Sequence, residues 1–125
     1  MLINMFILIC GHSRAGKTTL SRVFDSAYHI VHTDDVGYAG TLREVMKHVD
    51  VVVEGLYFTP YLRKRLAETH GSCKCIYVDT PKDVRDARRG HVMKHECKFV
   101  VPTCSEGWDE IYRYHDGKFD LIERR

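Results

Sequence analysis

The chain has 125 residues, of which 44% are hydrophobic and 29% are charged, and its formal net charge is +2. This length suits one α/β domain with a sheet of four or five strands. A charge so close to zero does not by itself predict binding to nucleic acid or to an anionic membrane, so the placement of the basic residues matters more than their number. They cluster in two short segments, residues 63–65 and 85–91.

The strands and helices predicted from the sequence alternate along the chain. Apolar or β-branched runs predict strands, while apolar residues at helical spacing, or a proline in the first turn, predict helices. The predicted strands are residues 2–10, 28–32, 50–55 and 73–79, with one or two more in 108–124 around a turn at 115–117; the predicted helices are 17–27, 41–49, 60–69 and 81–89, and residues 91–107 are irregular. Alternation of this kind indicates βαβ units, that is, a parallel sheet with helices on both faces in a single domain spanning residues 1–125.

The cysteines and the apolar start predict a cytoplasmic protein. The five cysteines are odd in number and include no Cys-x-x-Cys pair, a usage that favours a reducing compartment. The apolar start is about half as long as a membrane span, and it lacks the basic front and the cleavage site of a signal peptide. We therefore expect no membrane segment, and the sequence does not indicate an oligomeric state.

Residues 11–18, GHSRAGKT, match the pattern G-x-x-x-x-G-K-[ST] between a predicted strand and a predicted helix. This is the context of a phosphate-binding loop (P-loop), in which backbone N–H groups and the dipole of the following helix hold phosphate oxygens. Lys17 is expected to reach the β- and γ-phosphates, and Thr18 to place its hydroxyl on Mg²⁺. The predicted nucleotide-binding residues are Gly11, His12, Ser13, Arg14, Ala15, Gly16, Lys17, Thr18 and Thr19. The fold expected from loop and alternation together is a three-layer P-loop kinase fold.

Carboxylates follow the predicted strands, where ligands of parallel sheets bind. Asp34 and Asp35 follow the second strand, Glu54 ends the third and Asp79 the fourth. One of the two adjacent aspartates is expected to accept the proton of an attacking hydroxyl, and the other to cap the next turn or to bind metal through water. Glu54 is expected to hold a Mg²⁺-bound water, although it is only a partial match to the aspartate that ends a Walker-B strand.

Basic residues near the end of the fourth unit predict a phosphoryl clamp. Arg85, Arg88 and Arg89 share one helix face, where they repel one another unless an anion lies among them. We interpret this helix as part of a lid whose arginines neutralise the transferred phosphoryl group, rather than as a solvated face. His91, His95 and Cys97 match no standard zinc spacing, and the plainer prediction for them is free side chains.

Five segments in this order resemble the kinase domain of the polynucleotide 5′-kinases, including the bifunctional kinase/phosphatase DNA-repair enzymes. The segments are residues 11–18, 32–37, 51–66, 73–91 and 99–114. Residues 102–111, with the pattern P-T-x-x-E-G-[FW]-x-x-I, are the most specific to that group. The resemblance implies ATP, Mg²⁺ and transfer of the γ-phosphate to a hydroxyl of DNA or RNA. It also implies Asp34 as the general base and Arg89, or else Arg85 or Arg88, as the lid arginine.

Two departures from that family leave the acceptor open. The segment after Asp35 is short, and Gly37 stands where some relatives have an arginine. The resemblance implies a minimal version of such a kinase, of the kind a virus can encode for action in its host cell, and the acceptor it implies is a 5′-hydroxyl or a modified-base hydroxyl of DNA or RNA. The alternatives are a small-molecule kinase that acts on a nucleoside or nucleotide, and a P-loop module that binds or hydrolyses a nucleotide without an acceptor.

Overall fold

The computed structural model describes residues 5–125, and strands and helices alternate along most of this range. The strands are β1 (Met5–Cys10), β2 (His29–His32), β3 (Asp50–Gly55), β4 (Ser72–Val78), β5 (Glu110–His115) and β6 (Lys118–Arg124). The helices are α1 (Lys17–Ser21), α2 (Thr33–Lys47), α3 (Pro60–Ala67) and α4 (Lys82–Arg89), with short 3₁₀ turns at Arg22–Phe24 and Cys104–Glu106. Positions 2–4 of the first predicted strand lie outside the described residues.

The strands form one sheet in the order β2-β3-β1-β4-β5-β6. β1 pairs in parallel with β3 and β4, β2 and β5 extend the sheet in parallel on either side, and β6 runs antiparallel to β5 at the edge. The predicted α/β fold is confirmed. The sheet has six strands because residues 108–124 form a hairpin, whose turn residues Asp116 and Gly117 have φ values of 49° and 73°, as tight hairpin turns require.

The central strand β1 packs against a different layer on each face, because successive side chains of a strand point to opposite sides. Phe6 and Leu8 join a buried cluster with residues of α2 and α3 and with Trp108, whose side chain is fully buried. Ile7 and Ile9 join a second cluster that includes Leu20 of α1. Helices therefore cover both faces, as predicted. No helix within residues 5–125 is long and apolar enough to cross a membrane.

Helix α2 differs most from the prediction. It begins at Thr33 rather than at residue 41, and it is interrupted at Gly37, whose φ of 75° and ψ of 173° are readily adopted only by glycine. The departure of Gly37 from the family pattern is thus a requirement of the backbone here. The sequence predicts an apolar helix face of Leu42, Val45, Met46 and Val49, but Met46 is 71% exposed, and Val49, which follows the end of the helix at Lys47, is 58% exposed.

A buried ion pair joins α3 to the segment before β5. Arg63 is fully buried, and it donates through Nε to Glu106 Oε1 at 2.8 Å and through Nη2 to Glu106 Oε2 at 3.0 Å. The same carboxylate accepts from the indole nitrogen of Trp108 at 3.0 Å, and Arg63 Nη1 donates to the carbonyl of Tyr57 at 2.7 Å. Arg63 therefore belongs to the core, and only Lys64 and Arg65 of the basic segment 63–65 are exposed at the surface.

We expect Glu106→Gln to destabilise the protein by about 3–5 kcal/mol, because it leaves the buried guanidinium of Arg63 without a counter-charge. The free energy of unfolding in urea measures the effect. The double variant Arg63→Met/Glu106→Leu should recover part of the loss, since it buries no charge.

Glu44→Gln is the matched control, because Glu44 pairs with Lys47 across an exposed turn of α2 and such pairs add little stability. It should leave the free energy of unfolding nearly unchanged. A loss below about 1 kcal/mol in Glu106→Gln would contradict the role given to the buried pair.

Candidate active site

An open groove of about 1160 Å³ lies at the carboxyl ends of the parallel strands. It is lined by P-loop residues 13–18 with Thr19, by Asp34 after β2, by Glu54 of β3 and by Asp79 after β4. The sheet order places Asp34 and Glu54 on one side of the P-loop and Asp79 on the other. Residues 115–117 of the turn between β5 and β6 also line the groove. The sequence predicted the turn but not its position near the P-loop, because that position depends on the order of the strands in the sheet.

The backbone of the P-loop explains both glycines of the motif. Gly11 has a φ of 145°, and a Cβ on it would lie 2.8 Å from the carbonyl oxygen of Val78 in β4, too close for any side chain. Gly16, which precedes α1, has a φ of 106°. Between them, Ala15 N donates to the carbonyl of His12 at 3.2 Å. The loop therefore turns tightly against the end of β4.

Lys17 is buried at the groove, and its Nζ donates to the carbonyl oxygen of His12 at 2.6 Å. Burial lowers the pKa of Lys17 from its ordinary value, and the carboxylates of Glu54 and Asp34 offset only part of this effect. A desolvated ammonium group is a strong attractor for anions. The structure thus places one poorly solvated positive charge in the groove.

Thr18 and Glu54 offer oxygen atoms side by side. Thr18 Oγ1 donates to Glu54 Oε1 at 3.3 Å, and His32 Nδ1 lies 2.9 Å from the same oxygen. Hydroxyl and carboxylate oxygens are the ligands that Mg²⁺ prefers, usually together with retained waters. The donor set therefore fits the predicted Mg²⁺ site, where Thr18 and Glu54 are the residues that would hold the ion.

The two adjacent aspartates of α2 occupy different positions relative to the groove. Both lie in the first turn of α2 and are exposed, but Asp34 lines the groove, whereas Asp35 lies outside it. The N-cap residue of α2 is His32, so neither aspartate caps the helix. The geometry favours Asp34 over Asp35 for contact with a ligand in the groove.

The three arginines of α4 point to two different places. Arg88 lines the groove, and its Nη1 donates to the carbonyl of Arg14 at 2.9 Å. Arg85 and Arg89 are not among the residues that line the groove, and they pair with Glu96, which lies in the irregular segment after α4. The three arginines, which the sequence places on one face of the helix, therefore differ in their contacts: Arg88 contacts the P-loop at the groove, whereas Arg85 and Arg89 bind Glu96.

Glu96 is the functional-site candidate that the sequence did not reveal. Arg85 Nη2 donates to Glu96 Oε1, and Glu96 Oε2 lies 3.6 Å from both His12 Nδ1 and Arg89 Nη2. Burial opposes the charged form of Glu96, but the hydrogen bond from Arg85 and the charges of the nearby basic groups together outweigh it and lower the pKa of the carboxyl. An isolated glutamate in an irregular segment has no sequence signal for such a contact.

The possible metal ligands of residues 91–97 are not brought together. His91, His95 and Cys97 are all exposed, and within residues 5–125 the group of side chains that could share a metal ion is His29, Glu44 and His48, outside the groove.

The sheet order, the P-loop after β1 and the groove define the fold of P-loop kinases. Two solved structures share it. A gluconokinase from Sinorhizobium meliloti 1021 superposes with a TM-score of 0.62 at 17% identity, over 75% of this chain and 70% of its own. A sugar kinase from Janibacter sp. HTCC2649 superposes with a TM-score of 0.56 at 19% identity, over 78% of this chain and 70% of its own. No protein-family model matches the chain, and no curated protein matches its sequence. At these identities the likeness establishes the fold.

We expect His12 to make stability depend on pH. Burial lowers the pKa of His12, the charge of Arg85 lowers it further, and Glu96 offsets only part. As the pH falls below about 6.5, the unfolded chain protonates this histidine before the folded protein does, so stability decreases, by at most about 1.4 kcal/mol per pH unit. His12→Asn should show a shallower loss between pH 7.5 and 5.0, measured by urea unfolding.

His91→Asn is the matched control, since the side chain of His91 is exposed after α4. It should keep the pH slope of the unsubstituted protein. Equal slopes for the His12→Asn variant and the unsubstituted protein would contradict the burial of a neutral imidazole at the P-loop.

Proposed function

We propose that this protein is a kinase that transfers the γ-phosphate of ATP to a hydroxyl group of a small molecule. The observation that carries the proposal is the order of groups along one groove: Asp34, then the Thr18–Glu54 pair, then Lys17 in the P-loop. These are the parts that phosphoryl transfer needs, namely a base for the acceptor, a metal site and a cation for the phosphates.

Each residue has one task in this proposal. P-loop residues 11–19 bind the phosphates of ATP, and Lys17 neutralises the β- and γ-phosphates. Mg²⁺, held by Thr18 and through water by Glu54, supplies charge stabilisation when bound. Asp34 takes the proton of the acceptor hydroxyl while the hydroxyl oxygen bonds to the γ-phosphorus; the bond from the γ-phosphorus to the β,γ-bridging oxygen breaks, and ADP leaves. Arg88, which lines the groove beside the P-loop, neutralises the transferred group.

Three considerations favour a small acceptor over nucleic acid. The two similar structures are named as a gluconokinase and a sugar kinase. Arg63 is buried, so only Lys64 and Arg65 of the basic segment 63–65 are exposed to a nucleic acid. The most specific part of the resemblance to polynucleotide kinases contains Glu106 and Trp108, both buried in the core, so that part of the motif reports on folding rather than on the acceptor.

Transfer of label from γ-³²P-ATP to a panel of acceptors tests the proposal. The panel contains sugars, polyols, sugar acids, free nucleosides and 5′-hydroxyl DNA and RNA oligonucleotides. We expect label in at least one small molecule and none in the oligonucleotides.

Each other outcome of the panel assigns a different function. Label only in the oligonucleotides would restore the polynucleotide-kinase interpretation. Release of ADP at a rate that no acceptor changes would indicate a hydrolysing module, and binding of ATP without turnover would indicate a binding module.

We expect Asp34→Asn to lower turnover by roughly 10²–10⁴-fold, the usual contribution of a general base. Binding of MgATP should stay within about threefold, because the amide removes one distant charge and no phosphate contact. Steady-state rates and calorimetric titration with a non-hydrolysable ATP analogue measure the two quantities.

Two further variants bracket this result. Asp25→Asn changes an exposed aspartate outside the groove and should keep full turnover. Lys17→Met should weaken nucleotide binding, which Asp34→Asn leaves intact, since it removes the cation of the P-loop. If Asp34→Asn kept more than half of the turnover, Asp34 would not be the base.

A further inference from the structure

We infer that Arg85, Arg89 and His12 form a binding site for an acidic group on the acceptor, and that Glu96 occupies this site in the free protein. The inference rests on the proposed function and names the class of its second substrate, a hydroxyl compound that also carries a carboxylate or a phosphate.

The three groups converge on one carboxylate. The side chains of Arg85 and Arg89 are each 7% exposed and that of His12 is 18% exposed, so the site is largely desolvated. The rings of Phe58 and Phe99 lie 5.0 and 5.9 Å from the ring of His12. Apolar walls of this kind strengthen the attraction between the guanidinium groups and any anion that enters.

Glu96 does not use all the hydrogen bonds that the site offers. Its Oε1 accepts from Arg85, but its Oε2 lies 3.6 Å from His12 Nδ1 and from Arg89 Nη2, too far for hydrogen bonds. Among residues 5–125, buried His12 Nδ1, Arg85 Nε and Glu96 Oε2 have no hydrogen-bond partner. Buried polar atoms are rarely left in this state without a reason. A free acid group, not tethered to the backbone of residue 96, can approach all three donors.

The site adjoins the reacting end of the groove. Arg89 Nη2 lies 3.4 Å from the carbonyl oxygen of Ser13 in the P-loop, and the carbonyl oxygen of His12 accepts a hydrogen bond from Lys17 Nζ at 2.6 Å. In the proposed arrangement the acceptor presents its hydroxyl to Asp34 in the groove and its acid group to the cluster beside the P-loop.

Glu96 can leave without breaking regular structure. It lies in an irregular segment whose backbone is tied to the core at Val100, where the N–H donates to the carbonyl of Phe58 at 2.9 Å. The arginines keep other partners when Glu96 leaves, because Arg85 also donates to the carbonyl of Thr80 and Arg89 to Asp86. Exchange of one carboxylate for another anion thus conserves the charge of the cluster.

Two matched pairs of compounds test the inference by calorimetry with the nucleotide groove saturated by a non-hydrolysable ATP analogue and Mg²⁺. One pair is gluconate and sorbitol, and the other is deoxyadenosine 3′-phosphate and deoxyadenosine; within each pair the principal difference is the acid group. We expect at least one acid to bind about tenfold more tightly than its neutral twin. The pair that shows the difference tells whether the acid is a carboxylate or a phosphate.

Glu96→Gln supplies the second test. The amide oxygen still accepts from Arg85, but the competing charge is gone, so the acid should bind severalfold more tightly while the neutral twin and the ATP analogue bind as before. Glu68→Gln, which makes the same change at an exposed position of the helix end, should alter nothing. Glu96→Asp, which shortens the reach of the carboxylate, should act in the same direction as Glu96→Gln and replaces it if that variant fails to fold.

Either of two results would overturn the inference. In the first, neither acid binds more tightly than its neutral twin. In the second, Glu96→Gln tightens binding of the ATP analogue and leaves the acids unchanged, which would assign the site to the γ-phosphate. The proposed function is tested separately. If an acid binds in this way but receives no phosphate from ATP, the anion site stands and that compound is excluded as an acceptor.

Discussion

The buried ion pair between Arg63 and Glu106 is the contact on which the geometry of the groove depends. Arg63 also binds the carbonyl of Tyr57, which holds that residue at a φ of 39°, a conformation that costs on the order of 1 kcal/mol outside glycine. The hydroxyl of Tyr57 lies 2.9 Å from Oγ1 of Thr33, the first residue of α2. Asp34 follows at once, so its place at the groove is set by contacts that begin in the core.

The charges around the P-loop explain how a nearly neutral chain can hold polyanions. Positive side chains of α1 and α4 lie around the loop. Carboxylates from three parts of the chain balance them: Glu54 beside Thr18, Asp86 beside Arg89, and Glu96 between Arg85 and Arg89. Burial weakens screening by water, so each pair counts for more than it would on the surface. The net charge of +2 therefore hides a strongly charged site.

Features that depend on a few neighbouring residues were predictable. The P-loop pattern needs two glycines at a fixed spacing, and Gly11 and Gly16 have the backbone conformations that the pattern implies. The third strand was predicted to its exact bounds, residues 50–55, because a β-branched run between polar ends has few alternatives. By contrast, the early start of α2 was missed, since the break at Gly37 made the helix read as a turn followed by a shorter helix.

The sequence by itself determined the order of strands and helices, the P-loop and the groups that follow each strand, because these are properties of adjacent residues and of their periodicity. Tertiary structure decided which charged groups meet. It placed Arg63 in the core although its neighbours Lys64 and Arg65 are exposed, separated Asp34 from Asp35 at the groove, and brought Glu96 to Arg85. Such pairs join residues distant in the chain, and their partners are chosen by strand order and burial rather than by spacing.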